Sequence, residues 1–195
     1  MFQTGYLTIK GYNAEEDSYS LDFPNREVKQ AFFNSLLQEF TEIDPLEISR
    51  AATHLRKDLD AHNLDSFTAT INRHFAKIPY SLFTRAKEGF YQAVFFTFLE
   101  KSGIKTHAEM TTNRGRIDLL FELEKTIYIF ELKVDQTAEI ALTQAETKNY
   151  KEKYLQNNKE ILVVGINFTS ESHNIGEWKG ILFSSEGKPL KDIQP

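Results

Sequence analysis

The sequence predicts an α/β fold in which helices cover both faces of a central mixed sheet. From residue 86 onwards the hydrophobic pattern gives a helix, three strands, a second helix and two further strands. An antiparallel hairpin followed by a helical crossover to another strand produces a sheet with both parallel and antiparallel neighbours. Because 41% of the 195 residues are hydrophobic, we expect a substantial core around this sheet.

The N-terminal part is predicted to open with a β-hairpin and a helix. Residues 4–23 alternate on either side of the polar stretch 13–17, which is typical of a turn between two strands. Pro24 occupies a favoured first-turn position of a helix. The apolar residues of that helix follow at helical spacing: Val28, Phe32, Leu36 and Phe40.

Two further helices are predicted before residue 76. The first begins near Asp44 and continues towards His62, and Asp65 is expected to cap the second, which runs through Phe75. The segment that follows includes Ile78-Pro79-Tyr80 and is interpreted as a linker. The predicted organisation is an N-terminal hairpin plus helical region at 1–76, a linker at 77–86 and the α/β domain at 87–195.

The α/β domain is predicted to begin with a helix that runs from Ala86 to a natural stop at Gly103. A second helix is expected from Thr137 to about Tyr154, and its apolar side comprises Ile140, Leu142 and Ala145. Strands are expected at 106–111, on both sides of a hairpin within 115–135, at 161–166 and at 180–183. The last residues, 184–195, are expected to form a loose tail.

The hairpin within 115–135 organises the domain, because its register decides which side chains meet. Its apolar runs, 117–121 and 126–134, flank the short link Glu124-Lys125. If the hairpin is centred on that link, Asp118 lies opposite Glu131, with Cβ atoms roughly 4.5–5.5 Å apart. Side chains alternate between the faces of a strand, so Lys133 emerges on the same face as Glu131.

Two acids and a lysine are unexpected in strands that are otherwise apolar. Charges are costly to bury unless they are paired or bound to metal, and close carboxylates repel unless a cation lies between them. Oxygen ligands suit Mg²⁺, and a nearby lysine orients an attacking water or stabilises a phosphate that gains charge. The alternative is a salt-bridged strand with one polar face. We consider it weaker, because the neighbours of Glu131 and Lys133 are apolar on both faces: Ile127, Ile129, Phe130 and Val134.

Asp118, followed after a spacer by Glu131-Leu132-Lys133, resembles the D…ExK core of PD-(D/E)XK nucleases. A longer string resembles the nuclease domain at the C-terminus of bacterial AAA-ATPase-like proteins. Its members are Glu109, 115–118, 129–133, Ala141-Leu142 with Gln144, Tyr150 and 164–168. Segments 3–9 and 23–28 extend the resemblance over most of the chain. Ile117 stands where the motif's name has proline, which is often absent in the superfamily.

The resemblance implies a restriction-endonuclease-like α/β/α core and a Mg²⁺-dependent nuclease, with Mn²⁺ as a substitute and nucleic acid, expected to be DNA, as substrate. Asp118 and Glu131 would bind the metal, with the Leu132 carbonyl as a further ligand, and Lys133 would position or activate water. The implied partner is an AAA-ATPase-like domain absent from this chain. The alternative is a catalytically inactive nuclease-fold module that serves protein interaction or regulation.

Further candidates surround this core. Glu109 is either another metal or water ligand or an exposed strand-end acid, and Glu88 is either a site acid or a favourable charge at a helix N-terminus. Gln144 is favoured as a functional residue, whereas Tyr150 is equally consistent with the site and with a solvated helix face. Several cations are candidates for phosphate contacts, although such residues are usually just solvated: Arg114, Arg116, Lys148, Lys151 and Lys153.

Composition excludes several other classes of function. The formal net charge of −5 argues against nucleic-acid binding by bulk positive charge, although a locally basic groove beside an acidic metal site remains open. The lack of cysteine excludes disulfides and Cys-based zinc sites. No HExxH, Walker A, GxGxxG or GxSxG motif occurs. The chain opens without a signal-peptide pattern, and its apolar runs are shorter than the ~20 residues of a membrane span. We therefore expect a cytoplasmic protein without a membrane partner.

Overall fold

The computed structural model describes residues 5–29, 31–32, 35, 45–83 and 87–195. The N-terminal hairpin is confirmed: β1 (Thr8–Asn13) pairs antiparallel with β2 (Ser18–Asp22) in a separate two-stranded sheet. Helical residues follow from 26, where the Asn25 side chain accepts a hydrogen bond from Val28 N at 2.8 Å. Asn25 therefore precedes this helix as its cap. Leu36 and Phe40 of the predicted helix lie outside the described residues.

The larger sheet has six strands in sequential spatial order. They are β3 (Thr106–Thr112), β4 (Gly115–Glu122), β5 (Thr126–Val134), β6 (Glu160–Thr169), β7 (Asn174–Phe183) and β8 (Pro189–Ile193). Only the β5–β6 pair is parallel, and the other neighbours are antiparallel. The mixed sheet is therefore confirmed, and a helical crossover joins its parallel pair.

Helices lie on both faces of the six-stranded sheet. In the described residues they are α1 (Pro45–Asp60), α2 (Leu64–Phe75), α3 (Tyr80–Phe83), α4 (Glu88–Lys101), α5 (Ala138–Thr147) and a 3₁₀ helix at Tyr150–Tyr154. Leu142 and Ala145 of α5 pack with the 3₁₀ helix against one face. No helix among the described residues is long and apolar enough to cross a membrane.

The opposite face of the sheet carries the larger, aromatic core. Phe67 of α2, Phe95 of α4 and Phe130 of β5 are fully buried, with ring centroids 5.5–6.1 Å apart. Asn72 of α2 bonds both backbone groups of Ile175 on β7, at 3.0 Å and 2.7 Å. The N-terminal helices therefore share a core with the sheet, and the division into domains at residue 76 stays a prediction.

The predicted hairpin register is confirmed, with Phe121 opposite Tyr128. It follows from the short link, which fixes the sum of paired residue numbers, and from apolar side chains on both faces that would be misplaced by a one-residue slip. Glu131 on β5 then lies beside Gly165 on β6. A Cβ on Gly165 would collide with the backbone of α5, reaching 2.5 Å from Leu142 N. The glycine therefore lets α5 pack directly on the strand next to Glu131.

Four local predictions are wrong. Asn63, rather than Asp65, caps α2, because its side chain accepts a hydrogen bond from Ser66 N at 3.1 Å. Ile140 is 48% exposed, because the contacts of α5 with Gly165 turn that residue outwards. The helix predicted to reach Tyr154 ends at Thr147, since Asn149 adopts a left-handed φ of 47°. The predicted loose tail contains β8, which pairs with β7.

We predict that Gly165→Ala destabilises the protein because the added methyl group must displace the α5 backbone. The expected loss in free energy of unfolding is about 1–3 kcal/mol, measured by urea denaturation. Gly89→Ala is the matched control, because a Cβ at this position in α4 meets no atom of the described residues within 4 Å and alanine favours a helix. Equal stability of the two variants would contradict the close packing of α5 on β6.

Candidate active site

The central carboxylates and lysine meet where β4 and β5 separate. Backbone pairing between these strands is regular from Glu122–Ile127 to Leu119–Phe130. At the next position the half-buried Asp118 contacts β5 through its side chain, whose Oδ2 accepts a hydrogen bond from Leu132 N at 2.8 Å. The carboxylate is thereby held against the backbone of β5, beside Glu131 and Lys133.

Glu131 is the most deeply buried acid of this group, with 1% of its surface exposed. Its Oε1 accepts hydrogen bonds from Lys133 Nζ at 3.4 Å and from the Gln144 side chain. Its Oε2 is buried and has no hydrogen-bond partner among the described residues. Burial, reinforced by the neighbouring charge of Asp118, raises the pKa of the Glu131 carboxyl to about 7. One oxygen of this carboxylate is therefore available for a ligand.

Lys133 is also buried, with 9% of its surface exposed. Its Nζ donates to the Leu132 carbonyl at 3.1 Å as well as to Glu131. The Leu132 carbonyl oxygen and a Glu131 carboxylate oxygen therefore lie close together around the same ammonium group. Because both contacts hold Nζ in place, the ammonium supplies a positive charge at a fixed position.

Charged groups on several elements shift the pKa of the Asp118 carboxyl. Burial raises its pKa, whereas the hydrogen bond from Leu132 and the charge of Lys133 lower it. The charges of Glu88 and Glu109 raise the pKa further, so both acids act on this carboxyl. Four acids and one buried lysine thus share an electrostatic environment that favours an added cation.

Glu109 and Glu88 differ in what holds them. Glu109 forms an ion pair with Arg116 at 2.5 Å and accepts a hydrogen bond from Gln92 Nε2 at 3.0 Å. Glu88 is exposed in the first turn of α4. Gln92 also donates to the Asp118 carbonyl at 2.9 Å, so it joins α4 to β4. Sequence analysis missed Gln92, although its position four residues after Glu88 places both on the same helix face.

Gln144 and Tyr150 approach the group from the opposite side. Gln144 of α5 contacts Glu131 directly, as described above. Tyr150 is buried, and its hydroxyl donates a hydrogen bond to the Arg116 carbonyl at 2.7 Å. The solvated helix face considered for Tyr150 is therefore excluded, and the residue joins the 3₁₀ helix to the start of β4.

The donor set fits a hard divalent cation. Among the described residues no group of three or more His, Cys, Asp or Glu side chains is arranged to hold a metal ion by itself. Asp118 and Glu131 supply two carboxylates, and the Leu132 carbonyl supplies one further oxygen. Glu131 Oε2 has no hydrogen-bond partner among the described residues. Mg²⁺ is commonly bound by one or two carboxylates while it keeps several waters. The arrangement can therefore hold such an ion next to the Lys133 ammonium.

Comparison with known proteins shows a family match for the part of the chain that contains the site. Residues 86–178 match the model of the PD-(D/E)XK nuclease superfamily. The chain is also similar to the uncharacterized protein in the vnfD 5′ region of Azotobacter chroococcum mcd 1, with 30% identity over 183 residues. That similarity covers 90% of this chain and 35% of the relative, so the chain spans about a third of the relative's length.

The matched segment contains the helices and strands that carry the residues of the candidate site. It begins just before α4, which carries Glu88 and Gln92, and ends within β7. It includes the strands that carry Asp118, Glu131 and Lys133. Residues 86–178 of this chain therefore belong to the PD-(D/E)XK nuclease superfamily.

Proposed function

We propose that this protein is a Mg²⁺-dependent nuclease that hydrolyses phosphodiester bonds in DNA. Membership of the superfamily supports a nucleic-acid substrate. The observation that carries the proposal is the buried Glu131 carboxylate, which lies beside Asp118 and Lys133 and whose Oε2 has no hydrogen-bond partner in the described part of the chain. An unpartnered buried carboxylate oxygen is costly in a structural role, whereas a bound cation compensates for that cost.

Asp118, Glu131 and the Leu132 carbonyl would hold the cation. Once bound, Mg²⁺ would act as a Lewis acid on the phosphate and lower the pKa of a coordinated water. The hydrogen bond from Leu132 N fixes one Asp118 oxygen and leaves the other for binding. The Gln144 amide orients Glu131 by donating to Oε1, so that Oε2 is the free oxygen.

Lys133 would act on the reacting groups. Its Nζ is held by Glu131 and by the Leu132 carbonyl, so little conformational entropy remains to be lost when substrate binds. From this position the ammonium would orient the attacking water and stabilise the charge that the phosphate gains in the transition state. Glu109 and Glu88 would contribute negative charge around the cation, and Glu109 would hold Arg116 near the substrate.

The wider setting of the activity is part of the same proposal. Because the chain spans about a third of the Azotobacter relative, we place this domain within a longer polypeptide. We propose that an AAA-ATPase-like domain accompanies it and that the protein acts in the cytoplasm. The alternative, an inactive nuclease-fold module, requires a site that binds neither metal nor nucleic acid.

We predict that Glu131→Gln and Lys133→Ala each lower Mg²⁺-dependent plasmid cleavage by about 10²-fold or more, because each change removes a charge that acts on the transition state. Glu139→Gln is the control, since this acid lies on α5 but pairs with Lys179 away from the site. Thermal denaturation should show that all three variants are folded. Cleavage by both site variants at the rate of the parent would refute the catalytic assignment.

We also predict that metal affinity rises with pH. The raised pKa of Glu131 means that its carboxyl holds a proton below about pH 7, and this proton competes with the cation. The Mn²⁺ dissociation constant should therefore fall by about tenfold per pH unit up to about pH 7 and then level off. Isothermal titration calorimetry measures it directly. An affinity independent of pH across this interval would argue against Glu131 as a metal ligand.

A further inference from the structure

The side chain of Lys148, the residue that follows α5, packs on Gly115 at the start of β4. A Cβ on Gly115 would lie 3.0 Å from Lys148 Cδ and 3.3 Å from both Cε and Nζ. Gly115 also has a φ of 152°, which other residues rarely adopt. The end of the lysine side chain therefore packs on the Gly115 backbone so closely that an added Cβ would shift it by a few tenths of an ångström.

The 3₁₀ helix provides a second contact for Lys148. Its Nζ lies 5.7 Å from the centroid of the Tyr150 ring, within the range of a cation–π interaction. Tyr150 is itself fixed by the hydrogen bond from its hydroxyl to the Arg116 carbonyl. Both contacts of Lys148 therefore depend on the first two residues of β4, the strand that also carries Asp118.

Three cations near Lys148 are paired with carboxylates. Arg114 pairs with Glu152 at 3.1 Å, and Arg116 and Lys133 pair with acids as described above. No carboxylate of the described residues lies within 4 Å of Lys148 Nζ, and the same is true of Lys151 and Lys153 in the 3₁₀ helix. The charge of Lys148 nevertheless acts on the Glu131 carboxyl, whose pKa it lowers. The contacts with Gly115 and Tyr150 therefore hold the ammonium near the start of β4, three residues before Asp118.

We propose that Lys148 binds a phosphate of the nucleic-acid strand at the mouth of the site, and that Gly115 is glycine in order to admit this side chain. The inference rests on the proposed nuclease function and adds a residue that determines substrate affinity. A lysine ammonium binds phosphate oxygens as a compact point charge, which suits the backbone of a strand whatever its sequence. Lys133 then serves the reacting phosphate, and Lys148 holds the strand.

A lysine at the end of a helix also has an ordinary explanation, since it interacts favourably with the helix dipole. Lys151 offers a matched comparison. It lies three residues away in the 3₁₀ helix and also covers an aromatic ring, with Nζ 4.5 Å from the Phe183 centroid. Phe183 lies on β7, whereas the Gly115 contact of Lys148 lies on β4, the strand that carries Asp118. A general effect of positive charge would therefore involve both lysines, whereas phosphate binding at the site involves Lys148 alone.

The test is binding of a short fluorescein-labelled DNA duplex, measured by fluorescence anisotropy with Mg²⁺ in a Lys133→Ala background, in which cleavage is expected to be slow. Between about 50 and about 200 mM KCl, Lys148→Gln should reduce the slope of log affinity against log salt by about 0.9, the value of one phosphate contact. Affinity at the lower salt should fall about tenfold. Lys148→Arg should restore both quantities, and Lys151→Gln should leave both unchanged.

Gly115→Ala gives an independent readout, because it displaces the lysine without removing its charge. If this variant is folded by circular dichroism, it should lose part of the affinity that Lys148→Gln loses, and an affinity equal to that of the parent would argue against the role of Gly115. An unchanged salt slope in Lys148→Gln, or an equal loss in Lys151→Gln, overturns the assignment of Lys148 while plasmid cleavage by the parent still supports the nuclease. Absence of both cleavage and DNA binding in the parent overturns the nuclease and this inference together.

Discussion

The candidate site depends on one costly feature, a glutamate carboxylate buried at the junction of β5 and α5. Glu131 has 1% of its surface exposed, and the described residues satisfy only one of its oxygens. Burial of this charge is possible because Lys133 and Gln144 both donate to Oε1. Gly165 beside Glu131 lets α5 approach closely enough for Gln144 to reach it. The packing of the fold and the chemistry of the site therefore share the same contact.

Two amide side chains from opposite sides of the sheet complete this arrangement. Gln92 of α4 holds Glu109 and the Asp118 carbonyl, and Gln144 of α5 holds Glu131. An amide orients a carboxylate without neutralising it, so the negative charge needed for a cation is preserved. The cations also differ in position, because Lys133 is buried beside Glu131 and Lys148 packs on Gly115 at the start of β4.

The register of β4 and β5 was predictable from the sequence, because it follows from strand periodicity and a short turn. This register brings Asp118 to β5 near Glu131. Features set by tertiary packing were not predictable. Strand β8 was missed because most of its residues are exposed and carry no apolar alternation. The orientation of Ile140 depends on Gly165, which is distant in sequence. Gln92 lies in a largely apolar helix, and only the folded sheet gives its amide a partner.

The central claim is that Asp118 and Glu131 jointly hold a divalent cation. The most direct measurement is anomalous diffraction from crystals of the protein grown with Mn²⁺. This account predicts one strong anomalous peak in direct contact with an Asp118 oxygen and with Glu131 Oε2, and its loss in crystals of Glu131→Gln. A fully occupied Mn²⁺ elsewhere on the protein, with no peak between these two carboxylates, would contradict it.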